Sequence, residues 1–343
     1  MSYSLLTCGM RDVDVRRKKI LVLGAGSIAL EYGKALKALG VTHVTFISRK
    51  EESAQKMRNA LGYESCSGGY ASYDAGTAAY DLCIVALPIG DLKAATEYAV
   101  SNGIRNVLVE KPGALYSSVL REWANGIHDD EARVRVAYNR LMYPSFWKVK
   151  ELAERDGGIT SCQYTFTEWT HCIPFEKEAP EVYERWGISN SLHVISMAHD
   201  LIGMPRESRT YRTGGLSWHS AGSRFVGAGV TVENIPFSYH ADWDSAGRWG
   251  IEVHTQEYAY RLIPLEQLQR CRRSTVEWQD VPLSQTCPGV KTGIAEEILV
   301  MLQPEVEVSL PLMTLQKAAV ITEWAEEICG YRHRPSENHK PRS

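Results

Sequence analysis

A chain of 343 residues, 44% hydrophobic and 23% charged, is long enough for two domains and has an ordinary globular composition. Its formal net charge of -3 leaves no electrostatic footprint for nucleic acid or an anionic membrane. The eight cysteines form no C-x-x-C pair, which argues against a disulfide framework or metal site and for a reducing, cytoplasmic compartment.

Residues 1–17 read as a short N-terminal extension. They lack the basic stretch followed by a long apolar one that marks a signal peptide. The basic run from Arg16 to Lys19 reads as a solvated lead-in to the first strand. No apolar run approaches the ~20 residues that a bilayer requires. From residue 18, short apolar runs alternate with helix-like stretches. Residues 19–23 form a strand, 28–39 a helix ended by Gly40, 44–47 a strand, and 51–61 a helix ended by Gly62. Further apolar runs cover 82–87, 107–109 and 134–138, with Pro88 and Pro112 stopping the first two. Strands apolar on both faces and separated by helices are parallel with crossovers. Residues 18–145 therefore read as an α/β domain with a Rossmann doubly wound parallel sheet.

A helix over 146–155, ended by Gly157 and Gly158, leads out of that domain. Residues 161–169 then alternate like a half-buried strand. A helix over 190–202 stops at Gly203. Strand-like segments follow at 224–232, 235–242, 249–255 and 259–262 with few helices between them. Residues 146–331 thus read as an α+β domain with a large, mostly antiparallel open sheet, one face packed and one facing ligand. A helix over 312–329 closes it, and 332–343 form a mobile polar tail.

Three motifs carry chemistry. Gly24-Ala25-Gly26-Ser27-Ile28-Ala29 follows the first strand and opens a helix, fitting G-x-G-x-x-G/A. Gly24 permits the tight turn, Gly26 lets the backbone approach a pyrophosphate, and the helix start at Ser27 and Ile28 faces the phosphates. Ser48, Arg49 and Lys50 end the second strand, where an NAD enzyme usually carries an acid for the ribose hydroxyl. A hydroxyl and two cations suit a 2′-phosphate, so NADP(H) is favoured over NAD(H); the competing reading is a solvated helix start. Glu110-Lys111-Pro112-Gly113 ends another strand, placing Lys111 at the crevice where open α/β sheets bind ligands. Its ammonium stabilises the charge that develops on the reacting oxygen as hydride leaves. Glu110 holds or tunes the lysine, and a cis bond before Pro112 fixes its direction.

The order GAGSIA, VALP, VLVEKPGAL and VAYNRLMYPSFWKVKEL resembles the Gfo/Idh/MocA family, over roughly residues 18–331. The resemblance implies a Rossmann domain followed by an open sheet that carries substrate and mediates homodimer or homotetramer contacts. It implies that His193 pairs with Lys111 in catalysis, as general base or by orienting a sugar; an imidazole near its ordinary pKa of ~6.5 suits that task. Ser189 stands where many members carry aspartate, and Asn190 offers a neighbouring polar contact. Leu87 and Pro88 sit beside the nicotinamide ribose, Asn139 beside the cofactor, and Tyr138 and Arg140 toward the substrate. His199 and Asp200 are structural.

The segment 236–249 resembles that of members acting on bacterial surface-polysaccharide sugars. Its aromatics offer flat faces for sugar rings, and Arg248 offers a fork for carboxylate or phosphate; sheet packing and a structural ion pair are the competing readings. The implied activity is hydride transfer between NAD(P) and a secondary alcohol or ketone of a sugar or nucleotide-linked sugar, with an acidic sugar also in view and no metal. Imine or keto reduction of another small metabolite, or a non-catalytic dinucleotide sensor, are the alternatives. The change at Ser189 favours the sensor.

Overall fold

The computed structural model describes residues 2–10, 13–76 and 79–331; the tail at 332–343 lies outside the described residues. The first sheet is built from β1 (Lys19–Leu23), β2 (His43–Ile47), β3 (Glu64–Cys66), β4 (Leu82–Val85), β5 (Asn106–Glu110) and β6 (Arg133–Ala137). All six run parallel in the order β6-β5-β4-β1-β2-β3. Residues Ile20 to Leu23 and Leu82 to Val85 are fully buried because helices cover both faces, which is why these strands read as unbroken apolar runs. The helix Ser27–Ala38 buries Ala29, Tyr32, Ala35 and Leu36 at helical spacing against the sheet. The helix Glu51–Leu61 carries two acids in its first turn and ends at Gly62, whose left-handed φ of 76° closes it.

The second sheet contains β7 (Ser161–Phe166), β8 (Pro205–Thr213), β9 (Arg224–Thr231), β10 (Pro236–Asp242), β11 (Trp249–His254), β12 (Tyr258–Leu262), β13 (Gln269–Arg272) and β14 (Trp278–Asp280). Their order is β14-β13-β12-β11-β7-β10-β9-β8, antiparallel except for β7 beside β10. Strand β10 shows the alternation that makes one face: Phe237, Tyr239 and Ala241 are buried, while Ser238 and His240 are exposed. The buried face packs on the helices Leu192–Ile202 and Leu315–Cys329.

Several elements differ from expectation for physical reasons. Strand β8 is an edge strand with mostly exposed, charged residues, so it lacks an apolar alternation. The helix Ile294–Leu302 is buried from Ile294 to Met301 and so shows no polar face. The chain also returns to the first sheet: β15 (Met313–Thr314) pairs antiparallel with β6. Residues 2–10 are docked, with Leu6 and Met10 buried and the Thr286 hydroxyl donating to the Leu6 carbonyl at 2.6 Å. In the basic run, Arg16 pairs with Asp14 at 2.9 Å and Lys18 with Asp81 at 3.0 Å.

Two buried contacts hold the layers that frame the site. Glu326 of the last helix accepts from the Ser117 amide at 3.2 Å, at the start of the helix Ser117–Gly126, and forms a buried ion pair with Arg185. Arg185 also donates to the Leu115 carbonyl at 2.9 Å. His199 is structural, accepting from the Trp324 indole at 2.8 Å through Nε2 while Nδ1 lies 2.9 Å from the Gly203 carbonyl. Among the described residues, no helix is long and apolar enough to cross a membrane.

Candidate active site

The turn after β1 is shaped by backbone. Gly24 donates its amide to the Ile47 carbonyl at 2.9 Å and adopts φ 129°; a Cβ there would lie 2.2 Å from the Ala86 carbonyl oxygen. Only glycine passes this close to β4. A Cβ on Gly26 would meet nothing within 4 Å. Gly26 caps the helix Ser27–Ala38 without a side-chain acceptor, so the first-turn amides point unsatisfied into a cleft lined by Ser27 and Ile28. This open, uncapped cradle fits a dinucleotide pyrophosphate.

At the end of β2, Ser48 is buried and its hydroxyl donates to the Lys50 carbonyl at 2.8 Å. That corrects its expected role as a donor to a 2′-phosphate. Arg49 and Lys50 are exposed. The acids that follow are engaged elsewhere: Glu51 by Arg58 and Glu52 by Lys56 at 2.9 Å.

The cleft encloses about 460 Å³ between the two sheets. Lys111 leaves the end of β5 through a cis bond to Pro112, and its ammonium donates to the Ser189 carbonyl at 2.6 Å. Burial pulls its pKa from 10.5 down to about 8, with Glu110 opposing the shift and Arg140 adding to it. Glu110 accepts from the Tyr32 hydroxyl at 2.9 Å and its carboxyl is raised by burial. Behind it stands the fully buried Glu297, pushed well up by burial and by the charge of Glu110.

His193 enters the same cleft from the helix Leu192–Ile202. A π-helical turn, Gly187–Ser191, precedes that helix and presents the Ser189 carbonyl to Lys111. His193 does not keep an ordinary pKa: burial holds it well below 6.5, and the charges of Arg140, Lys111, Lys291 and Arg248 push the same way. Burial and these cations favour its neutral form.

Leu87, Pro88, Asn139 and Arg140 line the cleft. The Asn139 amide donates to the Thr292 carbonyl at 2.9 Å. Other expected residues do other work. Tyr138 is buried, edge-on to His193 at 6.4 Å and beside Thr322, and does not reach the cleft. The Ser189 hydroxyl turns to the carbonyls of Val182 and Trp186, so its backbone rather than its side chain faces Lys111. Asn190 lines the cleft but donates its amide to Glu168 at 2.8 Å. Arg248 pairs with Glu168 at 3.3 Å and stacks on Trp249, and Trp243 is fully buried packing.

Glu168 is the residue that motif reasoning missed. It is buried, its pKa is raised by that burial, and it accepts from Ser191 at 2.6 Å and the Trp249 indole at 3.2 Å as well as from Asn190 and Arg248. The signal was a lone acid closing the alternating stretch at 161–169. Lys177 and Lys291 also line the cleft; both lie on loops with no periodicity to mark them.

Residues 18–138 match the oxidoreductase family with the NAD-binding Rossmann fold. No curated protein matches the chain in sequence. Among solved structures, UDP-N-acetylglucosamine 3-dehydrogenase from Acidithiobacillus ferrooxidans superposes with TM-score 0.69 at 13% identity, over 92% of this chain and 97% of that one. An oxidoreductase from Agrobacterium radiobacter, solved with NAD+, L-tartaric acid and magnesium, gives 0.71 at 15% identity over 92% and 97%. Levoglucosan dehydrogenase in complex with NADH gives 0.71 at 14% over 92% and 96%. Identities this low establish a shared two-sheet fold, and the family match covers the first sheet. Residues 18–138 match the NAD-binding Rossmann domain of the Gfo/Idh/MocA oxidoreductase family.

Proposed function

We propose that the protein is an NAD(P)-dependent dehydrogenase or reductase acting on a secondary alcohol, or the matching ketone, of a sugar or nucleotide-linked sugar. The observation that carries this reading is the meeting of Lys111 and His193, from different sheets' layers, in one cleft that continues to the uncapped helix start at Ser27. The names of two similar structures, a UDP-sugar 3-dehydrogenase and levoglucosan dehydrogenase, support an alcohol substrate of sugar type. The dinucleotide supplies or takes the hydride.

The chain's own residues hold and move the proton. With a pKa of about 8, Lys111 is an ammonium at neutral pH that can donate to a ketone oxygen, and once neutral it can accept the hydroxyl proton. The Ser189 carbonyl aims its Nζ. His193, kept neutral, orients the same oxygen by hydrogen bonding. In the reduction direction kcat/KM falls as pH rises through about 8, and in the oxidation direction it rises toward the same value. Glu110→Gln moves both midpoints to lower pH, because the charge of Glu110 holds the lysine up. Rate profiles in both directions check this; a shared limb near ~6.5 assigns the titration to an ordinary histidine instead.

We also infer a preference for NADP(H), now resting on Arg49 and Lys50 alone. Exposed ion pairs contribute at most about 1 kcal/mol, so Arg49→Ala lowers the NADP(H)-to-NAD(H) affinity ratio about fivefold. Dissociation constants for both cofactors test it; equal values in the wild type contradict it. Self-association as a homodimer or homotetramer is inferred for the open face of the second sheet, where Val226 and Ile263 stay about half exposed.

A further inference from the structure

We propose that the substrate of this cleft bears an oxyanion, a carboxylate or a phosphate, that is bound by Arg140. The inference rests on the reading of the Lys111 cleft as the substrate site and names the chemistry that site selects.

Arg140 lies on the turn Asn139–Met142, which directly follows β6. Since β6 pairs with β5 in the register Ala137 opposite Glu110, Arg140 stands beside Lys111 at the same sheet edge. Its guanidinium is 4.8 Å from the Trp249 ring centroid and 5.9 Å from that of Tyr143. Stacking fixes the plane of a guanidinium and leaves its donor edge to a planar acceptor. The Nε of Arg140 is buried with no hydrogen-bond partner among the described residues. An arginine so placed costs stability until an acceptor arrives.

Among the described residues, no carboxylate pairs with Arg140, and the acids lining the cleft are Glu110, engaged by Tyr32, and the exposed Glu178. Arg248, which shares Trp249, takes Glu168 at 3.3 Å, and Glu168 is already filled by Asn190, Ser191 and Trp249. The other cleft cations are Lys111, Lys177 and Lys291. Arg140 and His193 both pack on Trp249, at 4.8 Å and 5.9 Å from its ring centroid, so the guanidinium and the imidazole share one wall of the cleft. An anion on Arg140 would therefore sit next to the reacting carbon. The pyrophosphate cradle is a separate anion site at the glycine turn, so a dinucleotide does not supply this charge.

A charge-assisted pair contributes about ten- to a hundredfold in affinity. Calorimetry on the NADP+-loaded protein, with D-glucuronate, D-glucose 6-phosphate and D-glucose as probes, reads it. At least one charged probe is expected to bind about tenfold or more tighter than D-glucose, and the stronger of the two identifies the group as carboxylate or phosphate. Arg140→Met removes that preference with NADP+ affinity retained, which also shows the variant is folded. Arg140→Lys keeps the charge without the fork and retains part of the preference. Lys111→Met keeps all of it, even where turnover is lost, so failure of the catalytic reading registers separately. A wild type that does not distinguish the three probes, or an Arg140→Met variant that still does, overturns the proposal.

Discussion

Lys111→Ala lowers kcat by about 10²- to 10⁴-fold, the usual contribution of a positioned proton donor, while dinucleotide affinity is retained. In the proposed mechanism the two effects separate, because Lys111 acts on the reacting oxygen and the proposed pyrophosphate cradle is made by backbone at Gly24, Gly26 and Ser27. The variant also folds. The ammonium is buried and its pKa is pulled from 10.5 to about 8, so its charged form is held at a cost in the native state. The sign of the linkage follows from this. Between those two values the unfolded chain binds more protons than the folded one, so wild-type stability rises with pH across that window, and Lys111→Ala loses the slope. Steady-state rates, cofactor titration and denaturant melts between pH 7 and 10.5 check all three statements. Unchanged turnover in the variant removes Lys111 from the mechanism.

Gly24→Ala damages both folding and cofactor binding. A side chain at φ 129° is strained, which costs about 1–3 kcal/mol. The added Cβ also meets the Ala86 carbonyl at 2.2 Å and its carbon at 2.9 Å, and both are backbone, so no rotamer relieves the clash. Overpacking of this kind adds about 1–3 kcal/mol. The turn must shift away from β4, which displaces the amides that face the pyrophosphate, and dinucleotide affinity falls by at least about tenfold. Gly26→Ala is the contrasting variant. Its Cβ meets nothing within 4 Å, so stability holds, but the methyl enters the space a phosphate needs and affinity falls. Thermal melts and cofactor titrations on the pair separate strain from obstruction. Equal stability of the two variants contradicts the account of Gly24.

Legibility in the sequence followed the strength of local physics. Strand β1 and the helix Glu51–Leu61 were readable to the residue, because one is buried on both faces and the other has acids at its start and a left-handed glycine at its end. The edge strand β8, the all-buried helix Ile294–Leu302 and the two-residue β15 carry no such periodicity. In the site, motif residues tied to backbone geometry, Gly24, Gly26 and Lys111, lie where their spacing implied. Side chains whose partners come from distant segments did not. Nothing local in Ser48, Ser189 or Tyr138 shows that their hydroxyls turn to backbone or core, and the convergence of Asn190, Ser191, Arg248 and Trp249 on Glu168 is a tertiary fact. The depressed pKa of His193 is likewise invisible until four cations and a buried wall surround it.

The central claim is that one cleft brings a nicotinamide to Lys111 and His193. A crystal structure of the protein with NADP+ tests it most directly. The account predicts the diphosphate on the amides following Gly26, the adenosine ribose beside Arg49, and the nicotinamide C4 facing the space between the Lys111 Nζ and the His193 imidazole, within about 3–3.5 Å of where a reacting carbon would lie. A dinucleotide whose nicotinamide points away from Lys111, or that binds outside this cleft, contradicts it.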